Sequence, residues 1–343
     1  MSERKALLVG SIPADDAEQA MTQALTELAP HLRYLPDGET GERDRWIVCM
    51  VETLRANPAL KVRHEGAWAN YKDQLNFAVR RGHELRGDSM DFGIATAFQQ
   101  SWPVFSRLRE SFGQPDLAFQ VGVPGDLDMA LFSLGVTGPF RYRRPFTEAL
   151  ASQMARIHAD GGDQVLFQIE VPAELVFMAR APGPVQGPLA GWLGGIVAGL
   201  AGQAPEGARF GVHLCLGDLG HKALGRLRDA GPLVALSNAI ASRWPSGRPL
   251  EYVHAPLAAG EDPPVTDPAF YRPLQRLSLP GNTRFVAGLL HESLSVDELR
   301  PILAQVESLL GRWADVAAAC GLGRRGRDAA ATTMRQAAAL CDS

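Results

Sequence analysis

Cysteine is scarce in this chain, with four among 343 residues. So few thiols cannot form the disulfide framework on which small secreted domains depend, and we therefore expect reduced thiols and a cytoplasmic protein. Basic runs are lacking as well, because no stretch of Lys or Arg exceeds two residues and the net charge is -4. The sequence thus offers no polyanion-binding surface, and we expect no nucleic-acid partner.

Long apolar runs are also missing. The first one, residues 6–10, is too short for a signal peptide and is soon followed by Pro13. Residues 181–205 carry no charge, but their prolines and glycines favour a loop leading into a buried helix over a membrane span. We therefore expect no membrane partner. With 46% hydrophobic residues the chain can bury a full core, and a small-molecule partner fits it best.

Eight short apolar runs alternate with helical patterns, as a parallel α/β architecture requires. The runs span residues 6–11, 32–37, 117–123, 164–170, 210–215, 250–254, 284–291 and 316–320. One of the helical stretches between them opens with a capping box, Ser295 and Glu298. The pattern predicts a (β/α)8 TIM barrel formed by residues 1–343 as one domain, with a helical excursion at about 40–115 after the second strand.

Seven of these runs end in side chains capable of chemistry. These are Ser11, Asp37 with Glu39, Gln168 with Glu170, His213 with Cys215, His254, His291 with Glu292, and Cys320. In this fold the carboxyl ends of the strands meet at one mouth, where active sites are assembled. We therefore expect one site built from these residues.

The tripeptide His213-Leu-Cys215 is the most informative feature. Side chains alternate along a strand, so His213 and Cys215 point to the same face. Cys320 offers a third soft ligand near the end of the chain. An imidazole with two thiolates is a zinc-type ligand set, and an open fourth position would make the metal catalytic. The same residues could also simply fill a core.

Five motifs in sequence resemble the zinc-bearing catalytic half of cobalamin-independent methionine synthase, within the uroporphyrinogen-decarboxylase-like barrel superfamily. They are Val9-Gly-Ser-Ile-Pro13, Asp37-Gly-Glu-Thr-Gly-Glu-Arg43, Gln168-Ile-Glu-Val-Pro172, His213-Leu-Cys215 and Cys320-Gly-Leu-Gly-Arg324. Together they span nearly the whole chain. The resemblance does not extend to the family's duplicated N-terminal half or to its folate-binding segment.

The resemblance implies a zinc ion held by His213, Cys215 and Cys320. The family's fourth ligand is a glutamate at a strand end after H-x-C, and here the next strand offers Glu251 and His254. His254 is preferred because it lies at the carboxyl end of that strand. A substrate sulfur in the fourth position remains the alternative.

The resemblance also implies a pocket for an amino-acid thiol. Ser11 occupies the turn that binds a carboxylate, whereas Glu39 and Glu170 occupy the positions that bind an ammonium group. Asp37 and Gln168, in the same motifs, are expected to line this pocket. Val171 stands where the family has a second acid, so the amino-acid substrate can differ.

The function implied is zinc-dependent activation of a small thiol for alkyl, here methyl, transfer. By position in the chain, His291 is the expected general acid, and Asp218 and Arg324 are further candidates for assisting the leaving group. Three alternatives stay open: thiol addition or C–S lysis at the same zinc, a metal-free decarboxylase-like enzyme using Asp37 and arginines, and a non-catalytic binding protein. The sequence leaves open the thiol, the alkyl donor, whether folate or corrinoid is used, and the oligomeric state.

Overall fold

The structure is a computed structural model that describes residues 3–343. Its strands are β1 (Ala6–Leu7), β2 (Tyr34–Pro36), β3 (Leu60–His64), β4 (Asn76–Val79), β5 (Ala118–Pro124), β6 (Val165–Val171), β7 (Arg209–Leu214), β8 (Leu250–Pro256), β9 (Arg284–Leu290) and β10 (Asp315–Ala318). Eight of them form a parallel sheet in the order β1-β10-β9-β8-β7-β6-β5-β2. A parallel bridge between Ala6 and Leu32 joins its two edges. The predicted (β/α)8 barrel is confirmed.

Helices surround this sheet. They are α1 (Ala17–Leu28), α2 (Trp46–Thr53), α3 (Ile94–Ser111), α4 (Asp126–Leu134), α5 (Gly138–Gly161), α6 (Pro172–Arg180), α7 (Gly183–Gly202), α8 (Gly231–Ala241), α9 (Pro268–Tyr271), α10 (Val296–Leu310) and α11 (Arg327–Cys341). Short 3-10 helices span Ala29–His31, Gly41–Arg45, Leu54–Ala56, Gly87–Ser89, Gly162–Gln164 and Arg272–Arg276. Helix α10 begins at the predicted capping box, in which Ser295 accepts from the Glu298 N–H and Glu298 accepts from the Ser295 N–H. Within the described residues, none of these helices combines the length and apolarity needed to cross a membrane.

The excursion after β2 differs from the prediction. It contains α2 and 3-10 turns, but also an antiparallel hairpin, β3 with β4, that the helix-like spacing did not indicate. Four of the five β3 residues are exposed, so the strand lacks the alternation by which a half-buried strand is recognised. Helix α3 packs against α1 and β5 as a barrel helix does. The insertion proper therefore spans residues 40–93.

The barrel interior is layered, because inward-facing residues recur at every second position of each strand. The lowest layer is a cluster of Leu7, Tyr34, Ala118, Leu166, Tyr252, Val286 and Ala317. Above Leu166 come Gln168 and then Glu170 on the same face of β6. A Cβ on Gly211 would lie 2.0 Å from the Tyr252 ring, so glycine is required for that ring to fill the barrel. Polarity thus rises toward the carboxyl ends of the strands.

Candidate metal centre and adjoining pocket

Two strand ends bring three soft ligands together. His213 lies in β7, Cys215 follows it directly, and Cys320 follows β10. The sulfurs of Cys215 and Cys320 are 3.7 Å apart, and the ligand atoms of all three residues lie within 4.8 Å of one another. Two thiolates on one tetrahedral zinc, with bonds near 2.3 Å, are separated by roughly 3.8 Å. The sulfur separation fits such an ion and is far too long for a disulfide.

Hydrogen bonds determine which nitrogen of His213 is available to a metal. His254 Nε2 lies 3.0 Å from the Ala318 carbonyl oxygen, which can only accept, so this nitrogen carries a proton. Burial lowers the pKa of His254 to about 4, so the ring is neutral and its Nδ1 accepts. His213 Nδ1, at 2.6 Å, donates to it.

The other nitrogen of His213 therefore has a free lone pair. Burial, together with the neighbouring His254, also lowers the pKa of His213, which keeps the ring neutral. Its Nε2 is buried and has no hydrogen-bond partner among residues 3–343. A metal-ligating histidine has this arrangement, with one nitrogen donating a hydrogen bond and the other free to coordinate. The residues present fit a zinc ion.

The structure does not bring either predicted fourth ligand to this cluster. Both ring nitrogens of His254 are occupied by His213 and Ala318, so His254 stands behind the ligand instead of beside it. Glu251 forms an ion pair with Arg209 and accepts from the Tyr34 hydroxyl at 2.5 Å, deeper in the barrel. In this geometry His254 is the hydrogen-bond partner of His213 and does not belong to the cluster of ligand atoms, so its expected role as a direct ligand stays a prediction.

A cavity of about 360 Å³ adjoins the two cysteines. Trp46, Trp68 and Tyr71 of the insertion contribute to its wall. The Tyr71 hydroxyl accepts from the Leu219 N–H at 2.8 Å and thereby ties the insertion to the loop after β7. The insertion therefore covers the mouth of the barrel with aromatic surface.

Two carboxylates converge in this cavity. A Cβ on Gly122 would lie 3.0 Å from Glu39 Oε1 and 3.0 Å from Glu170 Oε1, so both oxygens crowd the same glycine. Burial, with the nearby Asp37 carboxylate, raises the pKa of Glu39 to about 7. Burial and the Glu39 carboxylate raise the pKa of Glu170. A cationic ligand group would relieve this repulsion.

Arg324 and Asp218 line the same cavity. Burial lowers the pKa of the Arg324 guanidinium, but the electrostatic effect of Cys320, Asp218 and Glu39 is larger. The pKa of Arg324 is therefore raised. Both carboxylate oxygens of Asp218 are buried; Oδ1 lies 3.4 Å from His221 Nδ1, and Oδ2 has no hydrogen-bond partner in the described part of the chain. The cavity therefore holds groups of both signs next to the thiols.

Ser11 lies at the cavity wall and holds the loop that carries Cys320. Its carbonyl oxygen accepts from the Leu322 N–H at 2.7 Å, and its Oγ accepts from the Gly323 N–H at 3.3 Å. A Cβ on Gly321 would lie 2.2 Å from Ser11 Oγ, so the loop needs glycine at that position. Ser11 therefore fixes the position of a candidate ligand.

Asp37 and Gln168 do not reach this cavity. Asp37 accepts from Arg43, from Ser101 Oγ at 2.8 Å and from the Glu39 N–H, so its oxygens are engaged. Gln168 is fully buried and donates to the Val9 carbonyl oxygen and to Glu170 Oε1. Both residues hold Glu39 and Glu170 in place, and neither lines this cavity, so their expected contact with substrate stays a prediction.

His291, the expected general acid, is not part of the cavity wall either. Its ring lies next to His221 and Glu292, with ligand-type atoms of the three residues within 4.8 Å of one another. Of the two residues expected to be catalytic, only Asp218 faces the pocket.

Sequence reasoning did not assign Trp46, Trp68 or Tyr71 to the site. Their only signal was the concentration of aromatic residues in the excursion, which equally suits an ordinary core. His221 was also missed, since it lies in a loop and ends no apolar run.

Fold and site together define a class: a (β/α)8 barrel whose mouth carries a His/Cys/Cys cluster beside a pocket with paired carboxylates. By sequence, neither a family model nor a curated protein matches the chain.

Solved structures are similar in fold. A B12-independent methionine synthase from Shewanella sp. W3-18-1, in complex with selenomethionine, superimposes with a TM-score of 0.64 at 13% identity, over 99% of this chain and 97% of that chain. A methyltransferase from Methanosarcina mazei gives a TM-score of 0.56 at 12% identity, over 100% of this chain and 94% of that one. The resemblance seen in the motifs is thereby confirmed at the level of the fold.

Proposed function

We propose that this protein is a zinc-dependent enzyme that activates a small thiol for methyl transfer. The observation that carries the proposal is the assembly of His213, Cys215 and Cys320 beside a cavity that also holds Glu39 and Glu170. The two solved structures of similar fold are of a B12-independent methionine synthase and a methyltransferase, which favours methyl transfer over other thiol chemistry.

His213, Cys215 and Cys320 would hold the zinc, leaving a fourth position for the substrate sulfur. When bound, zinc supplies a positive charge that stabilises a thiolate at neutral pH. A free thiol with a pKa near 8.5 is only about 3% thiolate at pH 7, so full ionisation gains roughly thirtyfold in nucleophile.

The cavity residues bind and orient the thiol in this proposal. Glu39 and Glu170 accept hydrogen bonds from a substrate ammonium group, whose charge offsets their mutual repulsion. Arg324 pairs with a substrate carboxylate or an anionic leaving group. Asp218, whose Oδ2 has no hydrogen-bond partner in the described chain, takes up the thiol proton.

The larger part of the rate enhancement would come from positioning. Holding sulfur and methyl carbon in line contributes up to ~7 to 11 kcal/mol in well-oriented systems. Trp46, Trp68 and Tyr71 close the cavity against water and shape the space for the methyl donor.

Thiol addition or C–S lysis would use the same centre and stays an alternative. A metal-free decarboxylase is disfavoured, because the cavity presents Glu39, Glu170 and Asp218 to a polycarboxylate and Asp37 is engaged by Arg43. A non-catalytic binding protein would hold an alkylated thiol without turnover.

Replacing Cys320 tests the proposal. We expect Cys320→Ser to lose zinc, with affinity lowered at least tenfold, and to lose methyl transfer to thiols, because one thiolate ligand is gone. Zinc content is measured by mass spectrometry, and turnover with methylated sulfonium, folate and corrinoid donors.

Cys341→Ser is the matched control, since Cys341 lies in α11 away from the three ligands. It should retain zinc and activity. Full zinc and full activity in Cys320→Ser would refute the proposed centre, whereas zinc binding without turnover of any thiol would favour the binding protein.

A further inference from the structure

We propose a second metal site, separate from the cysteine cluster, formed by His221, His291 and Glu292. His221 lies in the loop after β7, and His291 and Glu292 directly follow β9. The three residues bring one ligand atom each to within 4.8 Å of one another. None of them lines the cavity of the proposed thiol site.

The contact between His221 and Glu292 has the spacing of two ligands on one ion. His221 Nε2 lies 3.3 Å from Glu292 Oε1. Nitrogen and oxygen ligands with bonds of about 2.0 to 2.2 Å are separated by roughly 3 to 3.5 Å around a tetrahedral ion. The other oxygen, Oε2, accepts from Arg325 Nε at 2.8 Å, so the carboxylate is held with Oε1 free to coordinate.

His291 supplies the observation that points to a ligand. The residue is 4% exposed, and its Nε2 is buried with no hydrogen-bond partner among the residues described. Its Nδ1 lies 2.8 Å from Ser293 Oγ and 3.2 Å from the Ser293 N–H. The Ser293 N–H donates to Nδ1, so coordination at Nε2 would require the ring proton to move from Nε2 to Nδ1, where Ser293 Oγ can accept it.

His221 is held in the same manner. Its Nδ1 lies 3.4 Å from Asp218 Oδ1, which leaves Nε2 toward Glu292. Each of the three candidate ligands therefore has an orienting partner on its non-coordinating atom: Asp218, Ser293 or Arg325. Such partners are the usual support of metal ligands in proteins.

The alternative is a protonated His221 that bridges Asp218 and Glu292 as a plain ion pair. That arrangement should satisfy the atoms involved. Instead the two contacts of His221, 3.4 Å to Asp218 Oδ1 and 3.3 Å to Glu292 Oε1, are longer than charge-assisted hydrogen bonds of about 2.7 to 2.9 Å, and neither has hydrogen-bond geometry. In addition, Asp218 Oδ2 and His291 Nε2 are buried with no hydrogen-bond partner within the described chain. Buried polar groups are rarely left unpaired, and an ion bound between these residues would satisfy them.

Two imidazoles and one carboxylate suit zinc or another divalent first-row metal. An ion here would join the loop after β7 to the end of β9, and through Arg325 to the loop that carries Cys320, because Arg325 also donates to the Gly321 carbonyl oxygen. The second site would thereby hold Asp218 at the cavity wall.

Metal stoichiometry tests this site without any assay of activity. Metal-free protein is reconstituted with excess Zn²⁺, desalted and analysed by mass spectrometry. We expect about two zinc ions per wild-type chain and about one in each of His221→Ala, His291→Ala and Cys215→Ser. His83→Ala, an exposed histidine elsewhere, should keep both.

Cobalt separates the two sites further. Co²⁺-loaded His221→Ala should keep the sulfur-to-cobalt charge-transfer band of the cysteine site, whereas Cys215→Ser should lose that band and keep weak visible bands. One zinc in the wild type and one in His221→Ala would overturn the second site, as would two in His221→Ala. Loss of the band in the wild type would instead contradict the thiolate centre, so the two failures are distinguishable.

Discussion

At the scale of single residues, His254 determines which ring nitrogen of His213 is free to bind a metal. His213 and His254 are paired in the register of β7 and β8, and both point into the barrel. Because His254 accepts from His213 Nδ1, the lone pair of His213 is directed to Nε2. The sequence places both histidines at strand ends, but it does not contain the register that puts one behind the other.

We predict that His254→Phe lowers zinc affinity about 10- to 100-fold, the usual cost of removing the partner of a metal-bound histidine. The His213 Nδ1–H would be left buried without an acceptor, and the ring could rotate. Competition with a chromophoric chelator measures the change. His254→Gln, whose Oε1 can still accept, should recover most of the affinity; equal affinity in the Phe variant and the wild type would contradict this role.

The order of strands along the chain explains which site residues could be predicted from the sequence. Ser11, Glu39, Glu170, Cys215 and Cys320 reach one place because strand ends converge, and the pattern of runs contains that information.

Other residues in the same motifs take different positions. Asp37, Gln168 and His291 have equally suitable chemistry, but lie one layer deeper or one loop away. Depth and side-chain partners are three-dimensional facts that spacing along the chain does not contain.

At the scale of elements, the first turns of α4 and α6 bury three acids. Asp126, Asp128 and Glu174 have no exposed surface. Asp126 is paired with Arg143 at 2.7 Å, and Asp128 accepts from the Ala173 N–H at 2.8 Å. Burial raises the pKa of Asp128 to about 7, and burial with the Asp128 charge raises that of Glu174. The two facing carboxyl groups therefore share a proton near neutral pH.

This pair should make stability depend on pH. The folded pKa lies above the unfolded values near 4, so the folded state binds protons more tightly and the free energy of unfolding falls as pH rises from about 4 to about 7. Asp128→Asn removes one of the titrating groups and can still accept from Ala173. As pH rises from about 4 to about 7, we expect the free energy of unfolding of this variant, measured with urea, to increase steadily relative to that of the wild type.

Asp116→Asn, at an exposed carboxylate, is the control for that experiment and should follow the wild type at each pH. A constant difference between Asp128→Asn and the wild type across the range would contradict a shared proton.

The insertion is the element that the sequence predicted least well. Its hairpin β3–β4 is paired across a loop of residues 65–75, and the exposure of β3 hides the period of a strand. The Tyr71 hydroxyl joins the insertion to the loop after β7 by accepting from the Leu219 N–H, a contact between residues 148 positions apart in the chain. No local pattern contains such a contact.

At the scale of the whole molecule, the barrel was predictable because eight apolar runs separated by helices allow few other closed arrangements. The solved structures of similar fold share only 12–13% of their residues with this chain, so the architecture tolerates almost complete substitution. Function then depends on the few side chains at the strand ends.

X-ray absorption at the zinc edge, with and without an α-amino thiol, reports the ligands of the proposed zinc centre and whether a thiol joins them. We predict about two sulfur and one nitrogen ligands plus a light atom in the free protein, changing to about three sulfurs when the thiol is added. A zinc with four protein ligands that does not change on adding thiol, or a protein that binds no zinc at all, would refute a thiol-activating zinc centre.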